Sequence, residues 1–357
     1  LSGASRASTL TLSSTGALSN AASSNILVTG LSSLSAASIN LGNAAGDAFN
    51  TGSLTFNSPG DVNISENSDT TLAGVNMAST LVLSASGLLT NAASSRIGVT
   101  GQSTLSGTSI NLGNAAGDDF RTGTLRVNST GNVNVSEDGD TMLTGASGAY
   151  ALTLSSTGAL SNAASSSIAV TGLGTLSGAS INVGNASSDS FNTGTLRFTS
   201  PGSVSISEDS STMLAGVNKA QSLTLVSSGA LSNAPSSTIT VTGLSTLSGS
   251  SINVGNAAGD AFNTGKLGFV GGGSVSISEN SATVLSATSL SGGQSSAGSL
   301  TLVSTGSITN DATMHLDVAG RTSLKGTLIR LGNVSGDYFK TGSLVYSSPV
   351  PVVIVRD

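Results

Sequence analysis

The sequence predicts an all-β protein, a right-handed parallel β-helix (β-solenoid) of five tandem repeats with about three coils each. Three observations predict it. A long block recurs along the chain at constant spacing, short runs within each block alternate apolar and polar residues, and Gly and Asn stand at the joints between runs.

The segment LAGVNMASTLVLSASGLLTNAASS at Leu72 returns as LTGASGAYALTLSSTGALSNAASS at Leu143 and as LAGVNKAQSLTLVSSGALSNAPSS at Leu214. The starts Leu1, Leu72, Leu143 and Leu214 are evenly spaced, and a fifth copy from Leu285 carries six extra residues. The copies 1–71, 72–142, 143–213, 214–284 and 285–357 follow one another without linkers, so one continuous solenoid over 1–357 is expected. Each copy holds three sub-repeats, which in the first are 9–30, 31–52 and 53–79, the third being longer than the other two. Runs such as Leu10-Thr11-Leu12, Ile39-Asn40-Leu41 and Val62-Asn63-Ile64 have the period of a strand with one buried face. Gly and Asn at the joints supply the backbone angles of tight turns.

A coil this short cannot bury its own apolar face, so it must stack on its neighbours. Three coils in each of five copies, at about 4.8 Å per strand spacing, give a rod of about 70 Å. Parallel crossovers set the expected right hand.

Composition excludes several classes. Charged residues are 8% and the net charge is -6, while apolar residues are 37%, which does not fit a disordered chain. Twelve scattered Lys and Arg in an acidic chain argue against nucleic acid as a partner. With no Cys there is no disulfide framework and no thiolate metal site. The longest apolar run, Val350 to Val355, is too short for a membrane span. Leu1 falls within the pattern, so the chain is expected to be a mature or excerpted segment.

The inward residues Leu18, Leu41 and Ile64 read as one column, with Asn20, Asn43 and Glu66 two residues further on and Ile26, Phe49 and Leu72 six after those. Asn in two of every three coils predicts a structural ladder of side-chain amides: Asn20, Asn43, Asn91, Asn114, Asn162, Asn185, Asn233, Asn256, Asn310 and Asn333. Phe49, Phe120, Phe191, Phe262 and Phe339 read as a core aromatic column. The other three Phe (Phe56, Phe198 and Phe269) share a second column with Val127 and Tyr346.

Catalytic, metal and cofactor sites are not expected. Asp47, Asp118, Asp189, Asp260 and Asp337 read as turn caps, because calcium needs six or more oxygens and equivalent Asp residues are expected three coils apart. Glu66, Glu137, Glu208 and Glu279, with Asp69, Asp138 and Asp209, read as a solvated rim. His315 is the only His, without a nucleophile motif around it.

At the level of SLTLxSxGxL, INLGN and the TG-ended coils, all five copies resemble the repeat shafts of filamentous-haemagglutinin-like adhesins and related large bacterial surface proteins. The resemblance implies export to the bacterial surface and a shaft or adhesive role, and it carries over no site residues. The expected function is therefore a non-enzymatic extracellular shaft or filament subunit. The alternatives are a glycan- or surface-binding module, with Val75-Asn76-Met77, Gly148-Ala149-Tyr150 and Val217-Asn218-Lys219 as its place, and a polysaccharide-cleaving enzyme, which would need an Asp, Arg and Lys cluster. Ice binding would need a Thr-x-Thr in every coil, and the sequence has no such series. The expected partners are flanking repeats or a second copy of the chain joined head to tail through Leu1, Val353, Ile354, Val355 and Arg356, with surface glycans as a further partner.

Overall fold

The structure, a computed structural model, describes residues 1–333 and 335–356, with the side chain of Ser291 left out of the description. The chain is an all-β, parallel β-solenoid of about 16 turns, and among the described residues the only helix is the 3-10 turn Ser291–Gly293. It divides into two compact units. The first is Leu1–Gly172 with Ala186–Asp189, and the second is Leu173–Asn185 with Ser190–Asp357.

In the first unit, one copy runs through eight strands: Leu10–Ser13, Ala17–Ser19, Asn25–Ser35, Ser38–Leu41, Ala48–Asn57, Val62–Glu66, Thr70–Leu72 and Val75–Ala78. The long strands Asn25–Ser35 and Ala48–Asn57 each bend across a corner, where their mutual register shifts between Val28 and Leu31. The copy therefore has ten straight segments. Gly52 makes its bend possible, since a Cβ there would lie 2.4 Å from the Thr29 carbonyl oxygen.

Each segment stacks on the one three places earlier, except Thr70–Leu72, which meets the strand Ala48–Asn57 only through Leu72 and Leu54. Leu10–Ser13 pairs with the second half of Asn25–Ser35, Ala17–Ser19 with Ser38–Leu41, and Ser38–Leu41 with Val62–Glu66. A turn thus has three faces. Inward Leu, Ile, Val and Phe fill the interior, and their alternation with polar neighbours shows along the strands as alternating buried and accessible positions.

Ten segments on three faces do not make three turns per copy, as the sequence suggested, but three turns and one face. Leu81–Ala85, the equivalent of Leu10–Ser13, accordingly stacks on Val62–Glu66. In the second unit the equivalent strands repeat the step: Ser222–Ser227 lies on Ser203–Glu208, and Ser299–Ser304 on Ser274–Glu279.

The expected columns change accordingly. Leu18 pairs with Ile39 rather than Leu41, and Leu72 pairs with Leu54 rather than joining Phe49. The two Phe series are not two columns. Phe56 lies under Asn76, Asn76 under Ile97, and Ile97 under Phe120, so one member of each series shares a column. In the second unit Phe198 reaches Phe262 through Asn218 and Ile239 in the same way. Phe49, Phe120, Phe191, Phe262 and Phe339 are all buried, but they are separate core positions rather than a stack.

The six extra residues of the fifth copy fall between Leu285 and Ser295. Thr288 is buried against Gly268, where a Cβ would lie 2.8 Å from the Thr288 Cγ2. Ser289 Oγ reaches Thr224 and Thr246 Oγ1 at 3.3 and 3.4 Å, so the insert folds over an outward pair of threonines.

Phe120→Ala should cost about 3–5 kcal/mol, because it removes a buried ring and leaves a cavity that a stacked coil cannot close. Phe56→Ala should match it, as both rings fill one column. Denaturant unfolding of the two variants checks this, and an unchanged midpoint for either refutes the column.

Candidate functional site

The polar residues that recur from copy to copy gather at two places. One is the corner where the third sub-repeat is longer than the others. There the strand Ala48–Asn57 meets a turn instead of a ladder partner over its first half. Side chains take the ladder's place: Thr51 N donates to Glu66 Oε1 at 2.7 Å, and Phe49 N donates to Asn67 Oδ1 at 3.1 Å. Ser68 Oγ donates to Glu66 Oε1 at 3.0 Å, and Thr70 Oγ1 donates to Oε2. Behind them Thr51 Oγ1 bonds Ser32 Oγ at 2.8 Å and the Ser53 carbonyl at 2.8 Å.

The same corner recurs. Thr122, Thr193 and Thr264 N donate to Oε1 of Glu137, Glu208 and Glu279 at 3.0, 2.8 and 3.1 Å. Asp138, Asp209 and Asn280 accept from Phe120, Phe191 and Phe262 N at 3.0, 3.1 and 3.0 Å. The four Glu residues are 1–2% exposed, which overturns their reading as a solvated rim. Asp69 is likewise engaged, accepting from Leu88 N at 2.8 Å. Burial pushes all four Glu carboxyls above the ordinary range, against the pull of the nearby Thr hydroxyls and backbone donors. In the fifth copy the position is Arg356, whose guanidinium donates to the Thr341 carbonyl oxygen.

The second place is the turn of the middle sub-repeat. Asp47 accepts from Ser24 N in the coil below at 3.0 Å and from Ala44 N in its own turn at 2.9 Å. The Asn20 amide, with those backbone groups, holds the Asp47 carboxyl below the ordinary range. Asp189 is pushed up by burial but held below that range on balance by Asn162 and the backbone donors of Ala186 and Ser166. Asp118, Asp260 and Asp337 make the same kind of cap.

Eight of the predicted amides bond the backbone of the next coil rather than the next amide, while Asn162 donates to Asp189 Oδ2 in the next coil at 2.8 Å. Asn20, Asn91, Asn233 and Asn310 accept from Gly42, Gly113, Gly255 and Gly332 N at 2.8–3.1 Å. Gly42 has φ +71°, and a Cβ on it would lie 2.1 Å from the Ser65 carbonyl oxygen. Asn43, Asn114, Asn185 and Asn256 donate to the carbonyls of Asn63, Asn134, Ser205 and Ser276 at 2.8–2.9 Å.

The expected binding insert is only partly outward. It is a strand of the solenoid, and Asn76 and Asn218 are fully buried, accepting from Phe56 and Phe198 N at 3.1 and 3.0 Å. Val75, Val217 and Tyr150 stand outside, Tyr150 at 60% exposure. Met77 lines a shallow groove of about 300 Å³ with Ser58, Pro59 and Thr100, and Lys219 lines one of about 420 Å³ with Ser200, Pro201 and Thr242.

His315 is half-buried, its ring 4.2 Å from that of Tyr338 in an edge contact. Among the described residues no three His, Asp or Glu side chains are placed to hold a metal ion. Leu1, Val353 and Val355 are exposed, and Ile354 pairs with Leu331. Among the described residues no helix is long and apolar enough to cross a membrane.

Such a molecule is a β-helix repeat protein. Residues 272–342, a window one repeat long, match a family described as repeats of unknown function (DUF5649). No curated protein and no solved structure matches the chain.

Two outcomes test the turn. A chelator should leave the melting temperature unchanged, since backbone donors already occupy both Asp47 oxygens. A carboxyl held low in the folded state contributes stability that is full above its ordinary value of 3.8 and is lost as pH falls through the folded value. Asp189→Asn should therefore lose stability less steeply than the wild type on acidification below pH 3.8, read as the difference between their melting curves.

Proposed function

We propose that the chain is a non-enzymatic structural repeat, a shaft or filament segment of a bacterial cell-surface fibre or adhesin, working outside the cell. One observation carries this reading. The recurrent side chains with chemical potential are committed to the fold: Glu66 and its equivalents to strand N–H groups, the Asp47 series to turn N–H groups, and the Asn series to the next coil. What repeats is a device for joining one coil to the next, which is what a shaft requires. Cooperation between like coils also suits joining with flanking repeats or with another copy of the chain. The resemblance of the SLTLxSxGxL and INLGN coils to adhesin shafts supplies the expected location.

A second reading, a glycan- or surface-binding module, rests on exposed Tyr150 and on the grooves beside Met77 and Lys219. Electron microscopy of the purified chain decides the first reading. Rods or fibres of constant width support it, and globular particles sink it. Incubation with a panel of polysaccharides should release no reducing ends, and any sustained release makes the chain an enzyme.

A further inference from the structure

The four buried Glu residues share a backbone setting but not their side-chain surroundings. Glu137 has the poorest set of donors. Its Oε1 accepts from Thr122 N, but the hydroxyl that Ser68, Ser210 and Ser281 give the other three is missing, because Gly139 stands there. Glu137 Oε2 and Thr141 Oγ1 are both buried and neither makes a hydrogen bond of good geometry, although the Thr141 hydroxyl is close enough to favour the anion, whereas Thr70 and Thr283 bond Oε2 of Glu66 and Glu279. Glu208 Oε2 and Thr212 Oγ1 share that defect, but Ser210 still serves Glu208 Oε1.

The charged groups around Glu137 are of its own sign or already spent. Asp138 and Asp140 lie within electrostatic reach. On the strand that it grips, Asp119 and Arg121 are paired with each other at 2.8 Å on the outer face, and Arg96 beneath adds a contact to Asp119 at 3.4 Å. Its partner in the coil above is Ser156, which is uncharged. Glu66 and Glu208 each feel one Asp. Glu279 is followed by Asn280, Ser281 and Ala282, where Glu137 is followed by Asp138, Gly139 and Asp140.

We propose that this corner is a proton-responsive latch, closed by the neutral carboxylic acid and loosened by its anion, and that the latch at Glu137 loses the most hold as pH rises, over the widest range of pH. In the closed form Glu137 keeps its proton on Oε2, beside Thr141 Oγ1, and Oε1 holds Thr122 N. Losing the proton leaves an anion in the interior, with one N–H donor and two acidic neighbours. Pulling the side chain toward solvent relieves it and frees Thr122 N. A carboxyl held above its ordinary 4.5 gives stability that is full below that value and is lost as pH rises through the folded value. The latch therefore weakens toward alkali, opposite in sign to the Asp caps.

The test is hydrogen exchange of the full chain by mass spectrometry across pH 5–9, corrected for intrinsic exchange. Opening of segment 119–124 should rise by up to about tenfold per pH unit above the ordinary carboxyl value and level off once the folded carboxyl has lost its proton. The rise should continue to higher pH, and reach a larger total, than in the equivalent segment 261–266. Glu137→Gln, neutral at every pH, should abolish that rise while 261–266 behaves as before. Gly139→Ser, at a position with open space for a Cβ, should supply the missing donor and shift 119–124 toward the behaviour of 261–266. The proposal falls if Glu137→Gln keeps the wild-type pH dependence, or if the rise in 119–124 ends at no higher pH than that in 261–266.

Discussion

Everything in this molecule follows from the demand that each backbone N–H and C=O find a partner in the coil above or below. A parallel solenoid meets that demand by ladder wherever coils have equal length. The third sub-repeat is longer than the other two, and there the ladder fails over the first half of Ala48–Asn57. The sequence does not leave the freed N–H groups to water. It sends Glu66 and Asn67 across to Thr51 and Phe49. A carboxyl reaches further than a backbone carbonyl, but it brings a titratable group into the interior. The extra length of one sub-repeat thus creates the only buried carboxyls that recur among the described residues.

Strand positions, inward residues, turn caps and the fold class were legible in the sequence, because period two and turn chemistry are local. The number of turns per copy was not. A repeat length counts residues, whereas a turn counts segments, and the corners at Thr29 and Gly52 bend long strands without a cluster of turn residues to mark them. The two Phe series looked like two columns for the same reason. Alignment by copy assumes that equivalents stack, and a copy that ends one face further on moves each equivalent to a different column.

The Glu series was misread because acidic neighbours suggest a surface. A signal was present. Each Glu stands four residues before a Thr and fifteen after another, in four copies, and that fixed spacing belongs to a contact across the stack rather than to a solvated rim. The neighbouring position makes the logic plain. Asn67, Asp138, Asp209 and Asn280 interchange freely because the role is only to accept from a Phe N–H. Asn76, Ser147 and Asn218 vary in the same way, each accepting from the strand below. What stays constant is the bond and not the residue, so a copy can drift in sequence while its coils still join. Arg356 goes further and reverses the bond, donating to the Thr341 carbonyl oxygen where the other copies accept from the Thr N–H.

The extra face per copy also governs what such a stack shows to a partner. In the second unit the groove beside Lys219 has an equivalent beside Ser296, lined by Gly271 and Gly298. Because a copy advances by ten segments over three faces, these two grooves open on successive faces rather than one above the other. In a uniform stack of such copies, a given groove returns to the same face only after three of them. A partner lying along one face would meet it at long intervals, while partners approaching from around the axis would meet one in every copy. Repetition in such a stack therefore presents equivalent grooves around the axis rather than as a single continuous track along one face.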